Sequence, residues 1–448
     1  MTKNSRHTTE IVSVTAKGFG IGYINELAVF VEGGLPGDVL SVHILKVKAK
    51  YAYGKILDII KPSPSRIKSP CPVSDSCGGC QWQHCDYGAQ LGFKKQIVID
   101  ALERIGGINN PSVEAVIGMK SPERYRNKAV FPIVPSDNKD GFAIGMFAPR
   151  SHRIIEVEDC AIQHEAHVNV LKILKSHMRV CKITPYDEIT HKGLMRHVIV
   201  RVSFATGEIM AVLVINGKRL SDENILIERL AAAGVSTVLI NRHEARSNTV
   251  MGQELRTVYG TGFITERVGD TEYRLSAPSF FQVNPAQTKI LYDTALELAA
   301  LDGSQNIIDA HAGVGGIALY AAKYTKKVIG VDIVPSAVSD AHKNAALNGI
   351  NNATFILGTA EEVIPALLDA KHSTQAVFLD PPRKGCEPEL LNALTEAKIP
   401  KIIYISCDPA TLARDVKKLS DYKLCAVRPV DMFPMTGKVE VVVLLERD

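Results

Sequence analysis

Between residues 10 and 60, apolar and polar positions alternate in short runs, as in IVSVTA, LAVFVE, DVLSVHILKV and YGKILDII, broken by GFGIG and GGLPGD. A period of two turns one face of each run inward, which predicts short strands closing into a small β-barrel or sheet. KPSPSRIKSP follows, with the Pro, Ser and basic composition of a linker. From Cys71 to about residue 270 the pattern is mixed, with a helix predicted over Tyr87–Ile105 and β-rich runs at HVIVRVSF, GEIMAVLVI and STVLIN. Beyond about Leu275, strand and helix patterns alternate: NIIDA and IALYAAKY, KVIGVD and PSAVSDAHKNAAL, TFILG and EEVIPALLDA, AVFLD and EPELLNALTEA, KIIYIS and PATLARDVKKL. Such alternation gives an α/β fold with a mostly parallel, doubly wound sheet. CAVRPVDMF and KVEVVVLLE predict two further strands at an antiparallel edge. Three regions are therefore expected: 1–61, 62–270 and 271–448.

A chain of 448 residues with 46% hydrophobic and 22% charged positions is an ordinary globular protein of several domains, which excludes disordered and fibrous classes. The net charge of +4 says little until it is located. Lys46, Lys48, Lys50, Lys55, Lys61, Arg66 and Lys68 face Asp58 alone, so His43–Lys68 carries +6 and everything else nets −2. A local basic patch suits a polyanion, although a solvated face is the plainer alternative. The polar start MTKNSRHTTE has no apolar targeting core, and runs such as Ile209–Ile215 fall far short of a membrane span. A cytoplasmic protein with no membrane association is expected, and a monomer.

In Asp309-Ala-His311-Ala-Gly313-Val-Gly315-Gly316, an apolar strand runs into a glycine-rich turn and then a helix, where a ligand can approach backbone amides. Asp332 ends the next strand, placed to accept hydrogen bonds from ribose hydroxyls. A dinucleotide and S-adenosylmethionine both fit, and a tight turn with a strand-end aspartate would need no ligand. Asp380-Pro381-Pro382-Arg383 favours the methyl donor, because a carboxylate and rigid prolines at the sheet edge shape a substrate crevice that dehydrogenases do not usually carry. Cys407, in Ser-Cys-Asp-Pro, closes a strand and precedes a helix on the same sheet edge, where the helix dipole favours a thiolate. Glu440 is a carboxylate in an almost wholly apolar strand, a candidate for proton transfer unless that strand face is exposed.

These residues resemble the RNA uracil-5-methyltransferases that form 5-methyluridine. SFFQVNPAQ (Ser279–Gln287), the glycine-rich turn, GVDIVPSAV (Gly330–Val338), FLDPPRKG (Phe378–Gly385), YISCDPATLARD (Tyr404–Asp415) and DMFPMTGKVEVV (Asp431–Val442) carry the likeness, with YRNKAVF (Tyr125–Phe131) and GLMRHVIVR (Gly193–Arg201) extending it over nearly the whole chain. The resemblance implies a class I S-adenosylmethionine methyltransferase fold. It implies contacts to the donor or the reacting uracil from Gln282, His311, Gly316, Asp332 and Asp380, beside Gly313 and Gly315 of the turn. It implies Cys407 as nucleophile and Glu440 as base. His311-Ala312 stands where the family has an aromatic residue and Cys, Asp332 where Glu is frequent and Thr359 where Asp is common, so altered donor contacts are expected. The residue types suit the chemistry: uracil C5 is too weak a nucleophile until a thiolate adds at C6, and the C5 proton must then leave by way of a base. The uracil must also leave its stack to reach the thiol.

Cys71, Cys77 and Cys80 crowd into ten residues, with a possible fourth ligand in Cys160. Four thiolates suit structural zinc or an iron–sulfur cluster, and spacing does not separate them. CGGCxWQH resembles the 4Fe-4S segment of the same family, which implies a 4Fe-4S cluster in the central region. AKGFGIGYI, VEGGLPGDVL and KAKYAYGKI resemble a TRAM domain, an OB-like RNA-binding module whose Tyr51, Tyr53 and lysines could stack on bases and pair with phosphates. Family members with both features act chiefly on 23S ribosomal RNA, which makes that RNA the expected partner and tRNA the second. Two readings of other classes compete. An RNA-binding iron–sulfur protein with an inactive methyltransferase domain is opposed by intact Cys407 and Glu440. A dehydrogenase would give no reason for that pair.

Overall fold

The N-terminal alternation closes into a barrel. In the computed structural model, which describes residues 1–370 and 373–447, β1 (Arg6–Val14), β2 (Phe19–Ile24), β3 (Leu27–Glu32), β4 (Val39–Val47) and β5 (Tyr51–Lys61) run in the order β1-β2-β3-β5-β4, and β4 pairs back onto β1. Alternate residues Ile11, Val29, Val31, Leu40, Val42, Ile44 and Ala52 fill its interior. Lys46, Lys48, Lys50, Lys55, Lys61 and Lys68 are exposed. The segment after β5 is no free tether. Buried Asp38 accepts from the amides of Leu35 (2.7 Å) and Ser63 (2.8 Å) and from Arg66 (Nε, 3.0 Å), which ties it to the barrel wall.

The predicted long helix forms as α1 (Tyr87–Arg104), N-capped by Asp86. The middle of the chain then builds a seven-stranded sheet from β6 (Lys128–Pro135), β7 (Phe142–Phe147), β8 (Ile154–Glu156), β9 (Met195–Val202), β10 (Ile209–Ile215), β11 (Thr237–Arg242) and β12 (Glu254–Tyr259), in the order β12-β11-β10-β9-β6-β7-β8. Helices α2 (Glu165–Val180) and α3 (Glu223–Ala232) cover one face, where Leu171, Leu174, Leu226 and Leu230 meet Val198, Val200, Ala211 and Leu213. The opposite face joins the C-terminal core through Ile199, Val212 and Val214, together with the hairpin β13 (Phe263–Val268) and β14 (Thr271–Ser276).

After α4 (Pro285–Ala299), the C-terminal sheet takes the order β17-β16-β15-β18-β19-β21-β20, from β15 (Asn306–Asp309), β16 (Lys327–Asp332), β17 (Ala353–Leu357), β18 (Ala376–Leu379), β19 (Lys401–Ser406), β20 (Lys423–Val430) and β21 (Glu440–Glu446). The first five strands are parallel and are joined by α5 (Gly316–Ala321), α6 (Pro335–Leu347), α7 (Ala360–Asp369) and α8 (Pro388–Glu396), with α9 (Pro409–Lys418) following β19. The last two strands form the expected antiparallel pair, but β21 is inserted between β19 and β20 and β20 makes the edge. Helix α1 packs its Val98, Ala101 and Leu102 into this sheet's core beside Val377, Leu412 and Val443. Among the described residues no helix is long and apolar enough to cross a membrane.

Candidate active site

Strand ends assemble the site. Ser406 pairs with Val441, so the next step along each antiparallel strand sets Cys407 across from Glu440. Asp380 follows β18, the neighbour of β19, and Asp309 ends β15 on the other side of β18. All these termini lie along the carboxyl edge of the parallel strands, where open α/β sheets bind ligands.

Burial dominates the electrostatics. Glu440 is 3% exposed, its Oε2 has no hydrogen-bond partner among the described residues, and burial followed by repulsion from Asp380 raises its pKa well above the carboxylate range. Asp380 is pushed up to about 7 by burial and Asp309, and Asp309 rises to about 7 through burial. The Cys407 thiol is raised to about 11 by burial, then by Glu440 and Asp380. This corrects the expectation of a thiolate favoured by the helix dipole. The start of α9 is already satisfied by Asp408, whose carboxylate accepts from the amides of Ala410 (2.9 Å) and Thr411 (3.4 Å), while carboxylates from two other strands face the sulfur.

The glycine-rich turn is shaped by Asp309, which accepts from the amides of Ala318 (3.0 Å) and His311 (3.4 Å). Gly313 (φ 54°) and Gly315 (φ 86°) take the left-handed backbone that glycine alone adopts freely. A Cβ on Gly313 would meet nothing within 4 Å, so open space lies above the turn, whereas one on Gly316 would stand 2.5 Å from the Tyr292 hydroxyl. Asp332 accepts from the amides of Gly313 (2.9 Å) and Val334 (2.8 Å), which bridges two strand ends and leaves further lone pairs for a ligand. Beside it the side chains of Ile333 and Val334 are exposed and apolar. His311 is held neutral by burial, its pKa lowered to about 4, and its Nδ1 has no hydrogen-bond partner among the described residues. Gln282 is buried, and its carbonyl accepts from Asn127 Nδ2 at 3.1 Å.

Sequence reasoning missed several neighbours. Phe280, two residues before Gln282, is 68% exposed although aromatic, a signal visible only in three dimensions. Lys438, on the loop into β21, feels Arg126, Arg383, Cys407 and Glu440. That loop is strapped from behind. Asp431 accepts from Lys94 Nζ (2.5 Å) and the Tyr87 hydroxyl (2.9 Å), Asn284 donates to the Met432 carbonyl, and Tyr125 donates to that of Pro434. The Met435 carbonyl accepts from the amides of Gln81 (3.1 Å) and Trp82 (3.0 Å), the two residues after Cys80.

Cys71, Cys77, Cys80 and Cys160 line one cavity of about 30 Å³, together with Val73, Met146, Val157 and Ile162. All four thiols are free. Burial raises Cys80 to about 12. Among the described residues, however, no group of three or more His, Cys, Asp or Glu side chains has an arrangement that would hold a metal ion. The expected metal site is therefore represented by convergence alone. Trp82 is fully buried, edge-on to Phe93.

The doubly wound sheet, glycine-rich turn and strand-end carboxylates define a class I methyltransferase fold. The model of the family described as tRNA (Uracil-5-)-methyltransferase matches residues 86–448, and that of the TRAM domain matches residues 8–57. The chain belongs to this RNA uracil-5-methyltransferase family. It is 43% identical over 448 residues to a protein of Halalkalibacterium halodurans called an uncharacterized RNA methyltransferase, covering 99% of this chain and 97% of the relative. A Clostridium tetani protein of the same description is 44% identical, with 99% and 96% covered. Among solved structures, the Pyrococcus abyssi tRNA (uracil-54, C5)-methyltransferase in complex with S-adenosyl-L-homocysteine is similar at a TM-score of 0.79 and 27% identity, covering 98% of this chain and all of that one.

Proposed function

We propose that the protein methylates C5 of a uracil in RNA from S-adenosylmethionine, with 23S ribosomal RNA as substrate, acting as a cytoplasmic monomer of three parts at 1–61, 62–270 and 271–448. The observation that carries the reading is the meeting of Cys407, Glu440 and Asp380 in one desolvated crevice beside an open glycine-rich turn. The ribosomal substrate is supported by the combination of a TRAM domain with the converging cysteines. Transfer RNA is the second reading, favoured by the whole-length likeness to the Pyrococcus abyssi tRNA enzyme.

The residues present fit the donor. Asp332 has lone pairs to spare for ribose hydroxyls, Ile333 and Val334 offer an apolar wall for the adenine, and the turn at Gly313 is open. When bound, S-adenosylmethionine supplies an electrophilic methyl group. The chain's own work is on the uracil. Cys407 Sγ releases its proton to solvent as it adds to C6, which places electron density on C5 for methylation; the ionised form of Glu440 then takes the C5 proton, and the C5–C6 double bond re-forms as Cys407 leaves as a thiolate. Gln282 and Asp380 orient the uracil edge, and exposed Phe280 offers a face for stacking an unstacked base.

The four cysteines suit a 4Fe-4S cluster as their occupant. The convergence of Cys71, Cys77, Cys80 and Cys160 on one cavity supports this reading. About four irons per chain in anaerobically purified protein are expected by the four-thiolate rule, with loss on Cys77→Ala. Stoichiometric zinc without iron contradicts the assignment.

Mapping 5-methyluridine in ribosomal and transfer RNA from cells with and without the protein tests the function. Loss of a 23S position is expected, loss from tRNA alone selects the second reading, and unchanged 5-methyluridine in both contradicts the proposal.

A further inference from the structure

Lys128 begins β6 and Arg201 lies near the end of β9, and the antiparallel register sets them directly opposite each other. Both share the face that carries Val130 and Ile199 toward the C-terminal region. Like charges in facing positions on neighbouring strands are unfavourable, and the surroundings do not neutralise them. Arg201 is 3% exposed and, among the described residues, donates only to neutral acceptors: the Ser276 carbonyl (3.2 Å), the Ser279 hydroxyl (3.3 Å) and the Ser279 carbonyl (2.5 Å). The half-buried Lys128 ammonium has neither an ion pair nor a hydrogen-bond acceptor among the described residues, so its three donors are unspent. Arg126, whose Nε is held on the Lys128 carbonyl at 3.1 Å, adds a third cation that lacks a carboxylate partner among the described residues.

The same two strands clamp the segment carrying Gln282. Arg201 grips Ser279, and Asn127, next to Lys128, donates its amide to the Val283 carbonyl (2.9 Å) and its side chain to that of Gln282. Exposed Phe280 lies between those two anchors. Arg126 also acts on Lys438, as do Cys407 and Glu440, so these cations lie within electrostatic range of one another and of the crevice. Burial, then Arg201 and Arg126, lower the Lys128 pKa to about 7, the behaviour of a cation short of a counter-ion.

We infer that Lys128 seats a phosphodiester of the RNA, adjoining the nucleotide presented to Cys407, with Arg201 acting from behind as a fixed, inaccessible positive charge. The inference rests on the RNA-methylation reading and assigns it a point of backbone contact. An ammonium is a compact point charge suited to one phosphate oxygen, and such contacts fix the register of the strand without reading its sequence.

Fluorescence anisotropy with a fluorescein-labelled stem–loop RNA bearing loop uridines, read from about 50 to about 300 mM KCl, tests this. Lys128→Met should weaken binding about tenfold, as for the removal of a charge-assisted hydrogen bond. It should also reduce the slope of log affinity against log salt by about 0.7 to 0.9. Lys128→Arg should keep that slope, and S-adenosylhomocysteine affinity and melting temperature should hold in both. Lys128→Gln repeats the test should Met fold poorly. An unchanged affinity, or a weaker one with an unchanged slope, overturns the inference while leaving wild-type methylation intact. Wild-type protein that binds no RNA overturns both this inference and the reading beneath it.

Discussion

The crevice at Cys407 and the outer wall of the N-terminal barrel both concentrate charge, and they treat it in opposite ways. On the barrel, Lys46, Lys48, Lys50 and Lys55 stand in water without ion-pair partners among the described residues. In the crevice, Asp309, Asp380 and Glu440 sit at the ends of β15, β18 and β21 and are driven toward neutrality by burial first, with Asp309 adding to it at Asp380 and Asp380 at Glu440. Water makes the barrel charges individually cheap and additive, suited to a diffuse polyanion. Desolvation makes the crevice charges costly and coupled, suited to moving protons. Stability and activity should therefore respond strongly to single changes at one place and weakly at the other.

The largest effect is expected behind the crevice, where Lys94 and Asp431 form a buried pair with both side chains fully shielded. Lys94→Met strands the Asp431 carboxylate and should cost about 3–5 kcal/mol in urea unfolding. Lys94→Met combined with Asp431→Leu should recover part of that loss. A single variant as stable as the parent would show that the strap on the loop into β21 carries no load.

A middle-sized effect concerns Asp380. Its folded pKa is raised to about 7, above the ordinary value of about 4, so the folded state holds a proton that the unfolded chain releases between those values. Stability contributed by this group is therefore present at low pH and falls as pH rises through that window. Asp380→Asn should stabilise the protein by about 2 kcal/mol at pH 8 and by much less near pH 4. A melting difference that is flat with pH would place Asp380 in water.

The smallest effect is expected on the barrel. Replacing Lys46, Lys48 and Lys50 together with Gln should leave stability within about 0.5 kcal/mol. It should weaken RNA binding and lower its salt slope by up to about 0.7–0.9 for each phosphate no longer neutralised. An unchanged slope would make the patch a solvated face.

What the sequence reveals divides along the same line. Strand–helix alternation exposes the C-terminal sheet, and two-residue alternation the barrel, because both follow from local periodicity. Glu440 could be read as exposed or buried, since nothing local says that β21 is inserted between β19 and β20. The thiol of Cys407 is easy to locate and hard to titrate on paper: the helix start is visible, whereas the carboxylates that raise it come from β18 and β21. Lys128 and Arg201 become a pair only through the register of β6 with β9. Cys160 is brought to Cys71, Cys77 and Cys80 by the segment after β8, which gathers the thiols on one cavity.

The central claim, that Cys407 opens and Glu440 closes a covalent cycle on uracil, is tested most directly by one denaturing gel with labelled RNA and labelled methyl donor. Glu440→Gln should add, methylate and stall, building up a slow-migrating band that carries both labels, while Cys407→Ala should give no band and no methylated RNA. Normal turnover by Glu440→Gln, or an adduct in Cys407→Ala, would contradict the account.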